Sequence, residues 1–124
     1  MKPSRNPVQR AFPSTGMMRG PDSPLMKAGG ELLAKKLPVW DEAKGSIDMY
    51  YWYWGTLVMF QLGRADWERW NKSLTTAAID HQVKVGCAAG SWDPKDPWGA
   101  EGGRVYSTAL MTLCLESYYR YPRR

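Results

Sequence analysis

Histidine occurs once, cysteine twice and phenylalanine twice in these 124 residues, and the shortages remove whole classes of protein. Two cysteines, Cys87 and Cys114, do not make the disulfide framework that staples small secreted domains; they read as reduced residues in or near the core, with a single bridge left open. The lone His81 could pair with Cys87 on a metal, but zinc takes three or four protein ligands, and Cys114 and Asp80 would have to converge on them. A single histidine on the apolar edge of a helix reads instead as a packed, hydrogen-bonded residue, and no metal or cofactor is expected. No Ser–His–acid arrangement, phosphate loop or dinucleotide fingerprint is present. Long apolar runs are missing too: the longest, Met49 to Leu62, is interrupted by Thr56 and Gln61 and falls short of the roughly 20 residues that cross a bilayer. The basic N-terminal stretch is not followed by the apolar region that a signal peptide requires.

The net charge of +5 invites a nucleic-acid reading until it is located. Lys2, Arg5, Arg10 and Arg19 fall in a first twenty residues without one acid, and Arg120, Arg123 and Arg124 crowd the other end. Beyond residue 20 the chain carries 13 basic against 12 acidic side chains. Basic ends on a balanced body are not the one-sided patch that grips phosphate, so nucleic acid is not an expected partner. The expected organisation is a disordered basic leader over 1–22, a helical domain over 23–121 and a basic tail over 122–124; the leader, rich in proline, has neither helical nor strand period.

The punctuation from Ser23 onward is helical. Ser23 suits an N-cap, Pro24 the first helical position, Lys35 and Lys36 the last turn, and Pro38 ends the segment. A turn, WDEAKGS, precedes a second helix that begins at Ser46 or Asp48 and stops at Gly63. This helix carries MYYWYWGTLVMF and is apolar on every side, the pattern of a helix surrounded by others. A third helix, Ala65 to about Lys84, is amphipathic: Trp67, Trp70, Leu74, Ala77, Ala78 and His81 share one face, with Asp66, Glu68, Arg69, Lys72 and Asp80 opposite. The glycine- and proline-rich stretch GCAAGSWDPKDPWGAEGG reads as loop, and a last helix, RVYSTALMTLCLESYYRY, is apolar nearly all round until its basic end. No segment alternates with period two for long enough to claim a strand.

A weak internal repeat runs beneath these helices. Trp40-Asp41 recurs as Trp92-Asp93, and Tyr53, Leu57, Val58 and Phe60 correspond to Tyr106, Leu110, Met111 and Leu113 at an offset near fifty. Each Trp-Asp turn leads into a buried helix, which describes an array of helical hairpins whose apolar faces need neighbours.

AAIDHQVKVGCAAGSWDP followed by GGRVYSTALMTLCLESYYRY resembles the squalene–hopene cyclase, protein prenyltransferase and complement thioester-domain superfamily, the α/α toroids, and within it bacterial prenyltransferase/squalene-oxidase-repeat proteins. The resemblance covers about residues 27–121. It places Gln82, Gly90 and Trp92 on the Gln…Gly-x-Trp repeat signature, with a spacer longer than usual, and implies that Gln82 and Trp92 brace neighbouring hairpins. It implies an all-α fold, a partial toroid of about four helices where a complete one has twelve, so that the chain is a fragment, a minimal unit or one subunit of a ring.

The resemblance does not bring a reaction with it. The cyclase Asp-x-Asp-Asp acid motif is absent, leaving Asp93 and Asp96 as weak catalytic candidates in a turn where Asp beside Pro is ordinary. The prenyltransferase zinc histidine position holds Ser107, and Gly86-Cys87-Ala88-Ala89 shares only Gly-Cys with the thioester motif. The function implied is a non-catalytic repeat module that associates with itself or a partner chain through its apolar inner helices. The alternative is part of a cyclase-like enzyme or isoprenoid-binding protein, with Tyr50, Tyr53, Trp54 and Tyr106 lining an aromatic cavity.

Overall fold

Asp48 and Gly63 bracket the helix around which everything else is arranged. A computed structural model describes residues 23–120 and contains four helices and, among the described residues, no strand: α1 Pro24–Ala34, α2 Met49–Leu62, α3 Arg64–His81 and α4 Gly99–Arg120. The all-α expectation holds; the leader over 1–22 and the tail over 122–124 lie outside the described residues.

Of the two starts open to α2, Asp48 is the one used. Its carboxylate accepts from Tyr51 N–H at 3.0 Å, satisfying a donor that the first turn leaves without a partner. Ser46 belongs to the preceding turn, its hydroxyl donating to Val39 O and accepting from Asp41 N–H. Ser23 does precede α1, but its hydroxyl makes no capping bond; the first turn closes through Lys27 N–H to Ser23 O. α1 also ends earlier than the Lys-Lys pair suggests, at Ala34, because Lys35 and Lys36 N–H tighten onto Leu32 and Leu33 carbonyls instead of continuing the ladder. α3 stops at His81 rather than near Lys84, since Gln82 is already extended.

The α2–α3 junction takes no loop residues beyond Gly63, at φ 68° and ψ −161°, a conformation open essentially only to glycine. Gly103 repeats it at φ 69° and ψ −166°, and each is followed by arginine. That second glycine divides α4 into a single helical turn, Gly99 to Gly102, and a long helix from Arg104. That short turn lies in the stretch that reads as loop, because two glycines in four residues give no helical signal.

α2 is the hub. Tyr51 Oη donates to Lys36 O, and a side chain at Gly30 would strike Leu62, so α1 lies antiparallel along α2. Phe60 meets Trp67 edge-on at 5.2 Å and Thr56 meets Trp70, so α3 is also antiparallel to it. α4 runs parallel to α2, with Thr56 beside Cys114 and Phe60 beside Tyr118. The amphipathic face read in α3 is buried as expected at Trp67, Trp70, Leu74, Ala77 and Ala78, but His81 is exposed. Trp52, Trp70, Met59 and Met111 form the centre of the core. One hydroxyl keeps it polar-satisfied: Thr56 accepts from Trp70 Nε1–H at 2.9 Å and donates to Trp52 O at 2.6 Å.

Candidate functional site

The aromatic run divides by face. Tyr51 and Trp52 are core, whereas Tyr50, Tyr53 and Trp54 are half-buried and touch one another: Trp54 is edge-on to Tyr50 at 6.3 Å and to Tyr53 at 5.6 Å. The three aromatics named as a set therefore form one cluster. The Trp54 indole N–H is buried without a hydrogen-bond partner among the described residues. Tyr106, on α4, is half-buried, with Tyr50 among its neighbours. These four do not line the groove between Arg104 and Glu116, which lies on another face of α4.

Asp96 is the least expected residue. It is only 6% exposed, although it sits in a turn between two prolines in a segment that reads as solvated. One carboxylate oxygen accepts from Met49 N–H at 3.3 Å, at the start of α2, and from Tyr106 Oη at 3.4 Å; the other is buried, with the Trp98 backbone N–H as its nearest donor. Burial first, and then the Asp48 carboxylate, push its pKa up, while hydrogen bonds from Met49, Tyr106 and Trp98 pull it back down. Burial and the neighbouring Asp96 likewise drive Tyr106 well above the usual phenol value. The pair can hold a proton, but what it does here is tie the 93–99 turn to α2 and α4.

A raised carboxyl makes a signed prediction. Asp96 contributes stability fully below its unfolded pKa, near 3.9, and loses it as pH rises through the higher folded value. Asp96→Asn, which carries no such charge, should gain on the native chain as pH rises from about 4 to 7. Urea unfolding of both at the two pH values checks this; a gap that moves the other way would mean that the Met49 and Tyr106 bonds outweigh burial.

The signature residues brace, but not against each other. Gln82 Nε2–H donates to Gly90 O at 2.9 Å, closing the 83–91 loop across Val83 N–H to Ser91 O and Gly90 N–H to Val83 O. Trp92 Nε1–H donates to Ala78 O at 2.8 Å on α3, Trp92 N–H to Thr108 Oγ1 at 3.3 Å, and Ser107 Oγ–H to Trp92 O at 2.5 Å on α4. Ser107 thus has a structural task that its place in an apolar helix did not disclose. The first Trp-Asp turn is built differently: Trp40 stacks on His81 at 4.8 Å and tilts against Trp52. Asp93 is exposed enough to pair with Arg104 at 2.6 Å.

The residues weighed for a metal are scattered among these roles. His81 Nδ1 lies 3.0 Å from Ala77 O, Cys87 is exposed, and Cys114 is buried beside Thr56 with its thiol pushed up to about 12 by that burial. Among the described residues no three His, Cys, Asp or Glu side chains cluster. No helix among them is long and apolar enough to cross a membrane. No family model, curated protein or solved structure matches the chain.

Proposed function

We propose that this chain is a non-catalytic module of α/α-toroid type, a partial ring of the squalene–hopene cyclase/prenyltransferase-repeat kind, that works by association with another chain along α4. The observation that carries the reading is the apolar groove on the outward face of α4, the one helix of the parallel α2–α4 pair that is not sheathed by its own chain. Two parallel helices with antiparallel α1 and α3 outside them is the order a hairpin array requires, and α4 is then its open end. The groups with chemistry to offer support it as well: Asp96, Tyr106, Ser107 and Trp92 are engaged in tying loop to helix, and Gln82 in closing its own loop. The partner is another helical chain or a second copy; the charge distribution gives no reason to invoke nucleic acid.

Sedimentation velocity over a concentration series tests this. The chain is expected to rise above its 14.1 kDa monomer mass as concentration increases, and Ala109→Lys, at an exposed helical position, to remain a folded monomer. A native chain that stays monomeric at every concentration, with no partner-dependent shift, would remove the reading. One observation favours a second: the Tyr50–Trp54–Tyr53 cluster with its unpartnered indole N–H is an amphipathic wall suited to an isoprenoid alcohol. Binding of such a ligand that is lost in Trp54→Ala would establish that one instead.

A further inference from the structure

The two faces of α4 differ sharply. Ser107, Met111, Cys114 and Ser117 are buried, while Val105 is 84% and Tyr119 86% exposed on the other side. Between Arg104 and Glu116 that open side forms a shallow groove of about 650 Å³ with Thr108, Ala109, Thr112 and Leu113 in its middle. These positions follow the three- and four-residue spacing of one helix face, a straight stripe some 18 Å long at about 1.5 Å per residue. Small side chains at its centre let a second helix approach closely, and the groove carries apolar surface that such a helix would remove from water.

Charge decides how that helix lies. Arg104 stands at the N-terminal end of the groove, its guanidinium held by Asp93 at 2.6 Å and Ser91 at 2.8 Å, and Glu116 stands at the other end. A second α4 laid parallel would oppose arginine to arginine and glutamate to glutamate. Laid antiparallel, it sets each Arg104 against Glu116 of the partner subunit, and the same register brings Thr108 opposite Thr112 on either side of a two-fold at position 110. A stripe that complements itself on reversal is the requirement of a two-fold interface, in which every contact occurs twice. We propose that the α4 groove is filled by a second copy of this chain, docked antiparallel through α4 about a two-fold axis. The proposal rests on the association reading above and names its occupant.

Directed cross-linking tests the register. Thr108→Cys and Thr112→Cys, each made with Cys87→Ser and leaving Cys114 buried, are oxidised separately and as a mixture. The mixture is expected to form disulfide dimers severalfold faster than either variant alone. Faster cross-linking within the single variants would overturn the antiparallel arrangement and leave association along α4 standing. No cross-linking from folded variants, beside a native chain that still dimerises, would move the interface off α4. No cross-linking beside a native chain that remains monomeric would end both readings. Glu116→Arg supplies a second measurement: the dimer dissociation constant should rise about tenfold and lose part of its salt dependence, and an unchanged value would overturn the charge-set orientation.

Discussion

Trp70→Ala is expected to remove about 3–5 kcal/mol of unfolding free energy, a large share of the roughly 5–15 kcal/mol that holds a domain of this size together. The ring is fully buried, and its six-membered edge fills the space that a side chain at Gly55 would occupy. Because position 55 has no side chain, nothing on α2 can move in to close the cavity. Truncation therefore loses both the transfer energy of the indole and the contacts across the void. The indole N–H also leaves Thr56 with one hydrogen bond fewer at the centre of the core. Urea unfolding followed by far-UV circular dichroism gives the number, and a loss under about 1 kcal/mol would mean that α2 and α3 do not meet at Gly55 and Trp70. Trp70→Phe, which keeps most of the ring and loses the N–H, should fall between the two.

Trp92→Ala is expected to cost a similar amount, about 3–5 kcal/mol, by a different route. This ring is nearly buried, and the residue is tied at three points to two helices: indole N–H to Ala78 O, backbone N–H to Thr108 and carbonyl to Ser107. Its removal empties a site under the 82–98 segment and leaves Ala78 O without a partner from that side. Trp92→Phe should cost about 1–3 kcal/mol, the loss of one buried hydrogen bond, and Gln82→Ala under about 1 kcal/mol, since Gln82 is partly solvated and bonds only within its own loop. Chemical denaturation of the three variants gives the order. A Gln82 effect as large as that of Trp92 would mean that the two act as one unit rather than as the separate braces seen here.

The parts of the fold legible in the sequence are those with a local physical cause. Gly63 marks the end of α2 because only glycine reverses the chain at φ 68°, and Asp48 is one of two candidate starts because a carboxylate satisfies first-turn donors, as the Ser46 hydroxyl also could. The buried face of α3 was legible because Trp67, Trp70, Leu74, Ala77 and Ala78 repeat at helical spacing. What escaped depends on which elements meet. The aromatic run looks the same from every side, so only the packing of α1, α3 and α4 separates buried Tyr51 and Trp52 from half-buried Tyr50, Tyr53 and Trp54. Asp96 looked like turn chemistry because nothing local reveals that its carboxyl faces Met49 and Tyr106. α4 read as apolar nearly all round, yet it separates into a buried Ser107–Met111–Cys114–Ser117 stripe and an open Val105–Ala109–Thr112 stripe. The signal for that division was present, in small and polar residues three and four apart on both faces, but either stripe could have been the inner one.

Amide hydrogen exchange read by mass spectrometry, at two protein concentrations a hundredfold apart, tests most directly that α2 is core and α4 is the associating face. Residues 49–62 should be equally protected at both concentrations, and residues 105–116 should exchange more slowly at the higher one. Concentration-dependent protection of 49–62, with none at 105–116, would contradict this: the aromatic helix would then be the open face.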